Sequence, residues 1–163
     1  MSSTKSTQMV IAIRIRGELN LRRDIRDALE SWRLRKVHTA VSLKADQDVI
    51  GSLRKLKDVI VWGEIDEKTL VELLKRRAIM KGDVQLSEEF IKEKLNLQDF
   101  HALAKALLNN EIEIKKMPGL VPYFRLAPPS RGYILRTERR RRGKREIVGY
   151  AGASINELVM RMV

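Results

Sequence analysis

The sequence predicts an α+β fold. It reads as a β-α-β-α-β core over residues 9–65, a helical extension over 66–116, and a Pro/Arg-rich basic arm over 117–163 that ends in a helix. Three observations carry this reading. Through the first 65 positions the apolar period alternates between two, the signature of a strand, and 3.6, that of an amphipathic helix. From Asp66 the period stays helical. All four prolines then fall between 118 and 129, where a fixed φ and a missing N–H donor favour an extended path over helix or central strand.

Each element has its own signal. Residues 1–8 are polar and read as a flexible lead-in. Met9, Ile11, Ile13 and Ile15 alternate with Val10, Ala12 and Arg14, a strand with one strongly apolar face, and Gly17 ends it. Asn20 is placed to cap a helix whose stripe is Leu21, Ile25, Ala28, Leu29 and Trp32. The second strand sets Val37, Thr39, Val41 and Leu43 opposite His38, Ala40 and Ser42. Asp46 and Asp48 open a helix with Val49, Ile50, Leu53 and Leu56 inward, and Val59–Trp62 is a short third strand. Asp66 caps a helix built on Leu70, Leu73, Leu74 and Ile79, which Lys81-Gly82-Asp83 breaks. Ser87, with Glu88 and Glu89, opens a short helix using Phe90, Ile91 and Leu95. A longer helix follows with Phe100, Leu103, Ala104, Leu107 and Leu108, and Asn109-Asn110 ends it. Ser154–Met162 closes the chain as a helix with Ile155, Leu158, Val159 and Met162 apolar.

Composition narrows the function. There is no cysteine, so a disulfide framework and a thiolate zinc site are excluded and a reducing, cytoplasmic compartment is expected. The longest aliphatic runs are far too short to span a bilayer. The net charge of +12 is unevenly spread: 10 Lys/Arg against 4 Asp/Glu in residues 1–45, 12 against 14 in 46–115, and 11 against 3 in 116–163. In the last third the cations are mostly Arg, whose planar fork pairs bidentately with phosphate and stacks on bases. That favours nucleic acid over a membrane surface, since no amphipathic helix carries these arginines.

Catalysis has little to stand on. The two histidines, His38 and His101, lie on different elements without a carboxylate cluster at ligand spacing, and Gly149-Tyr150-Ala151-Gly152 lacks the lysine and buried strand of a phosphate loop. No cofactor, metal or small-molecule substrate is expected. The binding candidates are clustered. Arg14 and Arg16 alternate with the apolar face of the first strand and are expected to project together from its other face. Arg22, Arg23 and Arg26 open the following helix, and Arg33, Arg35 and Lys36 enter the second strand. Between Arg125 and Arg145 lie nine cations (Arg125, Arg131, Arg136, Arg139, Arg140, Arg141, Arg142, Lys144 and Arg145) against the single acid Glu138. Each cluster alone reads as a solvated face. Two arginine-rich clusters flanking a near-neutral middle point to a polyanion bound through counterion release. At roughly 3.3 Å per residue, an arm of some twenty extended residues reaches about 60–70 Å, beyond the domain that carries it.

One stretch is more specific than composition. Trp32 to Val41 contains Leu34, Arg35, Lys36, Val37, His38 and Thr39, and this segment resembles the L-thirty/L-seven family of large-ribosomal-subunit proteins. The longer archaeal and eukaryotic form of that family also matches at Arg16-Gly17 and at Trp62-Gly63-Glu64-Ile65. Further on it matches at Phe124, Arg125, Leu126, Pro128 and Pro129, at Gly149-Tyr150, and at Ile155-Asn156-Glu157-Leu158. The chain departs from the family in having Ala127 where His is common, and in the density of Arg139–Arg142.

The resemblance implies a three-stranded antiparallel sheet covered on one face by helices, with some likeness to ferredoxin-like folds. It implies a structural, non-enzymatic role in the large subunit, bound to the large ribosomal RNA near the 5S RNA and beside other large-subunit proteins. It moves His38, by pattern a half-exposed strand residue, to the RNA surface. The alternative that the residues leave open is a free-standing regulatory protein that binds structured RNA or DNA.

Overall fold

A computed structural model describes residues 9–133 and 148–163. The expectations for residues 1–8 and for Arg136, Arg139–Arg142, Lys144 and Arg145 lie outside the described residues. In chain order the elements are β1 (Met9–Arg14), α1 (Arg23–Ser31), β2 (Thr39–Lys44), α2 (Gln47–Lys55) and β3 (Ile60–Glu64). Then come α3 (Glu67–Arg77), β4 (Ile79–Met80), β5 (Val84–Gln85), α4 (Glu88–Leu95) and α5 (Phe100–Leu108). The chain finishes with β6 (Phe124–Arg125), β7 (Gly149–Tyr150) and α6 (Ile155–Met162).

β1 is central and pairs antiparallel with both β2 and β3, as the family resemblance implies. Two short strands extend the sheet to the order β6-β2-β1-β3-β7; β6 pairs antiparallel with β2 and β7 parallel with β3. The register shows how the core divides. Ile13 faces Ala40 on one side and Val61 on the other, while Ala12 faces Val41 and Trp62. Residues directly opposite in an antiparallel ladder share a face, so these triplets line opposite faces of the sheet.

Both faces are buried, which corrects the expectation of helices on one side. Val10, Ala12, Val41, Leu43, Ile60 and Trp62 pack under α1 and α2 through Leu29, Leu53 and Leu56. Ile11, Ile13, Ala40 and Val61 pack under α3, α5 and α6 through Leu70, Leu73, Leu103, Leu107, Leu158 and Val159. The isoleucines therefore meet the later helices and not the first two. The uninterrupted apolar run Met9–Ile13 belongs to a strand covered twice; small Ala12 masks its second apolar side.

Several boundaries move for local reasons. Asn20 does not cap α1: its φ is 61°, and the helix begins after Arg22. His38 has φ 64°, so β2 starts at Thr39 and not at Val37. Ile79 leaves the third helix for a β4–β5 hairpin, turned by Gly82 (φ 97°) and Asp83 (φ 58°). Ser87 does cap α4, its hydroxyl accepting from the Phe90 N–H at 3.3 Å. Asn156, read only as part of a family match, is buried and joins α6 to the sheet. Its amide donates to the Glu64 and Ala153 carbonyls and its Oδ1 accepts from the Asp66 N–H.

The first half of the expected arm does not reach outward. Met117, Leu120, Phe124 and Leu126 are buried in the core under α3, α5 and α6. The Leu126 N–H donates to the His38 carbonyl at 2.9 Å, Ala127 to Met162 at 2.9 Å, and Ser130 to Arg161 at 3.2 Å. The prolines keep the path extended, but the apolar residues between them dock it along the β2 edge and the end of α6.

Candidate nucleic-acid interface

Among the described residues, the candidates on β1 and before β2 lie at one end of the sheet. Arg14 pairs with Ile60, Ile13 with Ala40, and Val61 with Gly149. The end of β1 and the starts of β2, β3 and β7 therefore lie together. The loop after β1 is fixed there, because the Ile15 and Arg16 N–H groups both donate to the Val59 carbonyl. α1 begins near this end and runs away from it, since Trp32 lines a cavity with Met9 and Lys44 at the opposite strand ends. Residues 33–38 are the return segment.

Arg14 holds that segment. Its side chain is only 2% exposed. The guanidinium donates to the carbonyls of Leu34 (2.9 Å), Arg35 (2.6 Å) and Arg16 (2.9 Å). Burial pulls its pKa below the ordinary guanidinium value, and Glu18 at 3.8 Å acts in the opposite direction. The expectation that Arg14 projects beside Arg16 does not hold: it presents no surface to a phosphate, and spends its donors on the backbone whose side chains Arg35 and Lys36 are exposed. Strand alternation places Arg14 on the Ala12 face, and that face lies under α1 and α2.

His38 stands where the strand starts. Its left-handed backbone lets its N–H donate to the Arg14 carbonyl at 2.8 Å. Its Nε2 shares a hydrogen bond with the Tyr133 hydroxyl, and the two rings stack with 6.0 Å between centroids and 20° between planes. Partial burial holds the imidazole below its ordinary pKa. Tyr133 was not legible as a site residue; the only hint was an aromatic inside the basic stretch Arg131-Gly132-Tyr133. It places one boundary of residues 134–147 beside His38, and Val148, next to Gly149 opposite Val61, places the other boundary at the same sheet end.

The remaining candidates are arranged less tightly. Arg16, Arg22 and Arg131 are exposed. Arg35 meets Glu30 at 2.7 Å and Arg125 meets Asp83 at 3.2 Å, both exposed pairs. Such pairs are worth about 0–1 kcal/mol and can be exchanged for phosphate at little cost. Arg125, paired on β6 with Thr39, meets Asp83 in the β4–β5 turn and lies over the Tyr123 ring at 5.9 Å. His101 is exposed beside Glu67 at 3.7 Å. Among the described residues no three His, Asp or Glu side chains could hold a metal, and no helix is long and apolar enough to cross a membrane.

Known proteins are similar in sequence to this chain over nearly its whole length. The family described as ribosomal protein L30p/L7e matches residues 10–60. A protein named large ribosomal subunit protein uL30 from Thermofilum pendens is 44% identical over 156 residues, covering 95% of this chain and 99% of its own. Proteins of the same name from Nanoarchaeum equitans and Thermoplasma volcanium are each 39% identical, covering 92% and 95% of this chain and 96% and 93% of their own. The chain belongs to the L30p/L7e family. Members of this family are structural proteins and not enzymes. The matched segment 10–60 runs from β1 to the start of β3, so it holds Arg14, the return segment and His38, but neither Tyr133 nor the second helical layer.

Proposed function

We propose that this chain is a structural constituent of the large ribosomal subunit that binds folded ribosomal RNA with the strand end built on Arg14 and His38. The observation that carries this reading is convergence. Arg16, Arg35, Lys36 and His38 sit at the end of the sheet where the segment containing Arg136, Arg139–Arg142, Lys144 and Arg145 begins and returns. Folded RNA presents phosphates and 2′-hydroxyls in a fixed geometry, and a rigid cluster of cations suits that shape more than a short base sequence. Arg22 and Arg131 extend the same surface, and Arg125, on β6 beside Thr39, forms a separate contact towards the β4–β5 turn. The relatives' name places them in the large subunit, and the near-complete length match supports the same assembly for this chain, beside other subunit proteins; a place next to the 5S RNA rests on the family resemblance alone.

Binding of the full chain to native and scrambled segments of large-subunit RNA, across a salt series, tests this. Engagement of about 6–10 phosphates lowers affinity by roughly 10³–10⁵ between 50 and 200 mM salt, and changing Arg139–Arg142 to Ser flattens the salt slope by up to about 4 units. The native segment is expected to bind more tightly than the scrambled one, and 5S RNA serves as a separate arm. Equal affinity for native and scrambled RNA leaves a nonspecific polycation. Failure to co-sediment with the large subunit after a moderate salt wash leaves the free-standing regulator.

A further inference from the structure

A second feature lies at the other edge of the sheet, on the α2 side. A cavity of about 640 Å³ opens between α2 and β7, with Arg54, Lys57, Asp58, Glu64 and Tyr150 among its lining and Ile50 and Trp62 behind them. Tyr150 is 60% exposed, yet it is fixed. Its ring packs on Trp62 at 4.7 Å and 51°, and its hydroxyl donates to Glu64 Oε1 at 2.7 Å. The walls are joined: Gly149 lies against the Lys57 backbone, the Ala151 N–H donates to the Trp62 carbonyl at 2.8 Å, and Gly63 admits no Cβ because the Gly152 carbonyl occupies that space.

Exposed aromatics held this way are platforms. An unpaired base gains about 1–3 kcal/mol by stacking on such a ring, and a ring already held by Trp62 and Glu64 has little freedom left to lose. The polar groups choose among ligands. Glu64 sits at the edge of the ring, with one oxygen engaged by the Tyr150 hydroxyl and lone pairs left to accept. Only guanine offers a carboxylate two adjacent donors, N1–H and N2–H₂, on its Watson–Crick edge; adenine and cytosine pair a donor with an acceptor there, and uracil flanks its one donor with acceptors. The exposed cations Arg54 and Lys57, offset in part by Asp58 in the same lining, give a phosphate its partners; a neighbouring protein's arginine is the other group that would stack on Tyr150 and pair with Glu64.

We propose that the cavity between α2 and β7 is a subsite for an unpaired guanine nucleotide of RNA, stacked on Tyr150, read by Glu64 and held by its phosphate at Arg54 and Lys57. This rests on the chain's being an RNA-binding protein, but it concerns a separate surface. The test is an amide NMR titration of the full chain with guanosine, adenosine, cytidine and uridine 5′-monophosphates, inorganic phosphate and N-acetyl-arginine amide. Guanosine monophosphate is expected to shift Tyr150, Glu64, Arg54 and Lys57 and to bind several-fold more tightly than the other nucleotides. Glu64→Gln, with its melting temperature unchanged, should lose about tenfold in affinity for it, the lower range of a bidentate pair. Tyr150→Phe keeps the ring and should retain binding within a few-fold. No shift at millimolar nucleotide, equal response to all four, or a match by phosphate alone overturns the proposal. Preferential binding of the arginine amide overturns it in favour of a protein socket. Should ribosomal RNA binding survive while the guanosine response is absent, only the subsite falls; should native-RNA preference fail while guanosine binds, the ribosomal reading falls and the subsite stands.

Discussion

The two faces of the sheet are built by different parts of the chain. One face is closed by α1 and α2, which are sequence neighbours of the strands they cover. The other is closed by α3, α5, α6 and the apolar residues of 117–126, many of them far along the chain from the strands they cover. The segment matched by the family, 10–60, contains the whole first layer and none of the helices of the second. Among the described residues, much of the chain after residue 65 therefore has a structural task. It covers Ile11, Ile13 and Val61, and in doing so brings Tyr133 to His38 and Tyr150 to Trp62.

The largest effects should come from placing a charge on each face in turn. If only one face were core, Ile13→Asp would unfold the protein and Ala12→Asp would be tolerated. Both residues are fully buried, so both substitutions should abolish the cooperative thermal transition, an unpaired buried carboxylate costing several kcal/mol before relaxation. A folded Ala12→Asp variant would break the two-face description. Truncating a leucine in each layer is the next smaller step. Leu53→Ala in α2 and Leu158→Ala in α6 should each cost about 2–5 kcal/mol in denaturant unfolding, because both side chains are fully buried. A cost under about 1 kcal/mol for Leu158 alone would mean the second layer is a loose appendage.

A smaller effect separates Arg14 from the cations it supports. Arg14→Ser removes three hydrogen bonds from a buried guanidinium to backbone carbonyls. The expected loss is about 2–3 kcal/mol, with faster amide exchange in residues 34–38. Lys36 is exposed, and Lys36→Ser should stay within about 0.5 kcal/mol of the parent while weakening RNA binding. If Arg14→Ser melts with the parent and Lys36→Ser does not, the division between support and contact is the wrong way round.

Legibility did not follow that division. The three long strands and the helices α1 to α6 were readable because each carries its own local period, and Ser87 as a cap because its bond spans three residues. Arg14 misled because alternation assigns a face but does not say whether that face is solvent. Only the far side chains of α1 and α2 decide that, together with carbonyls twenty residues away. The hairpin at Ile79–Gln85 and the edge strands at 124–125 and 149–150 are two residues long each, too short for any period to show. The docking of 117–133 was hidden by its prolines and charges, although Leu120, Phe124 and Leu126 were present to be counted. His38 was found through a family match, but its partner Tyr133 is 95 residues away and no spacing rule connects them.

The smallest predicted effect tests the seam between the two parts, where His38 meets Tyr133. Burial holds the folded-state pKa of His38 below its ordinary value, which in an unfolded chain is about 6.5. Between those two values the unfolded chain binds a proton that the folded chain does not. The contribution of the neutral imidazole is therefore complete above about pH 6.5 and declines as the pH falls below it. Melting temperatures of the parent and of His38→Gln should differ by a constant amount from pH 7 to 8, and the difference should shift against the parent towards pH 5. A phosphate next to the ring acts in the opposite sense, since a nearby negative charge favours the imidazolium. Binding of ribosomal RNA at about pH 6 should accordingly take up a proton, read as a buffer-dependent heat in calorimetry, and His38→Gln should abolish it. A parent–variant difference that is flat from pH 5 to 8, together with a buffer-independent heat, would remove His38 from both the seam and the RNA surface.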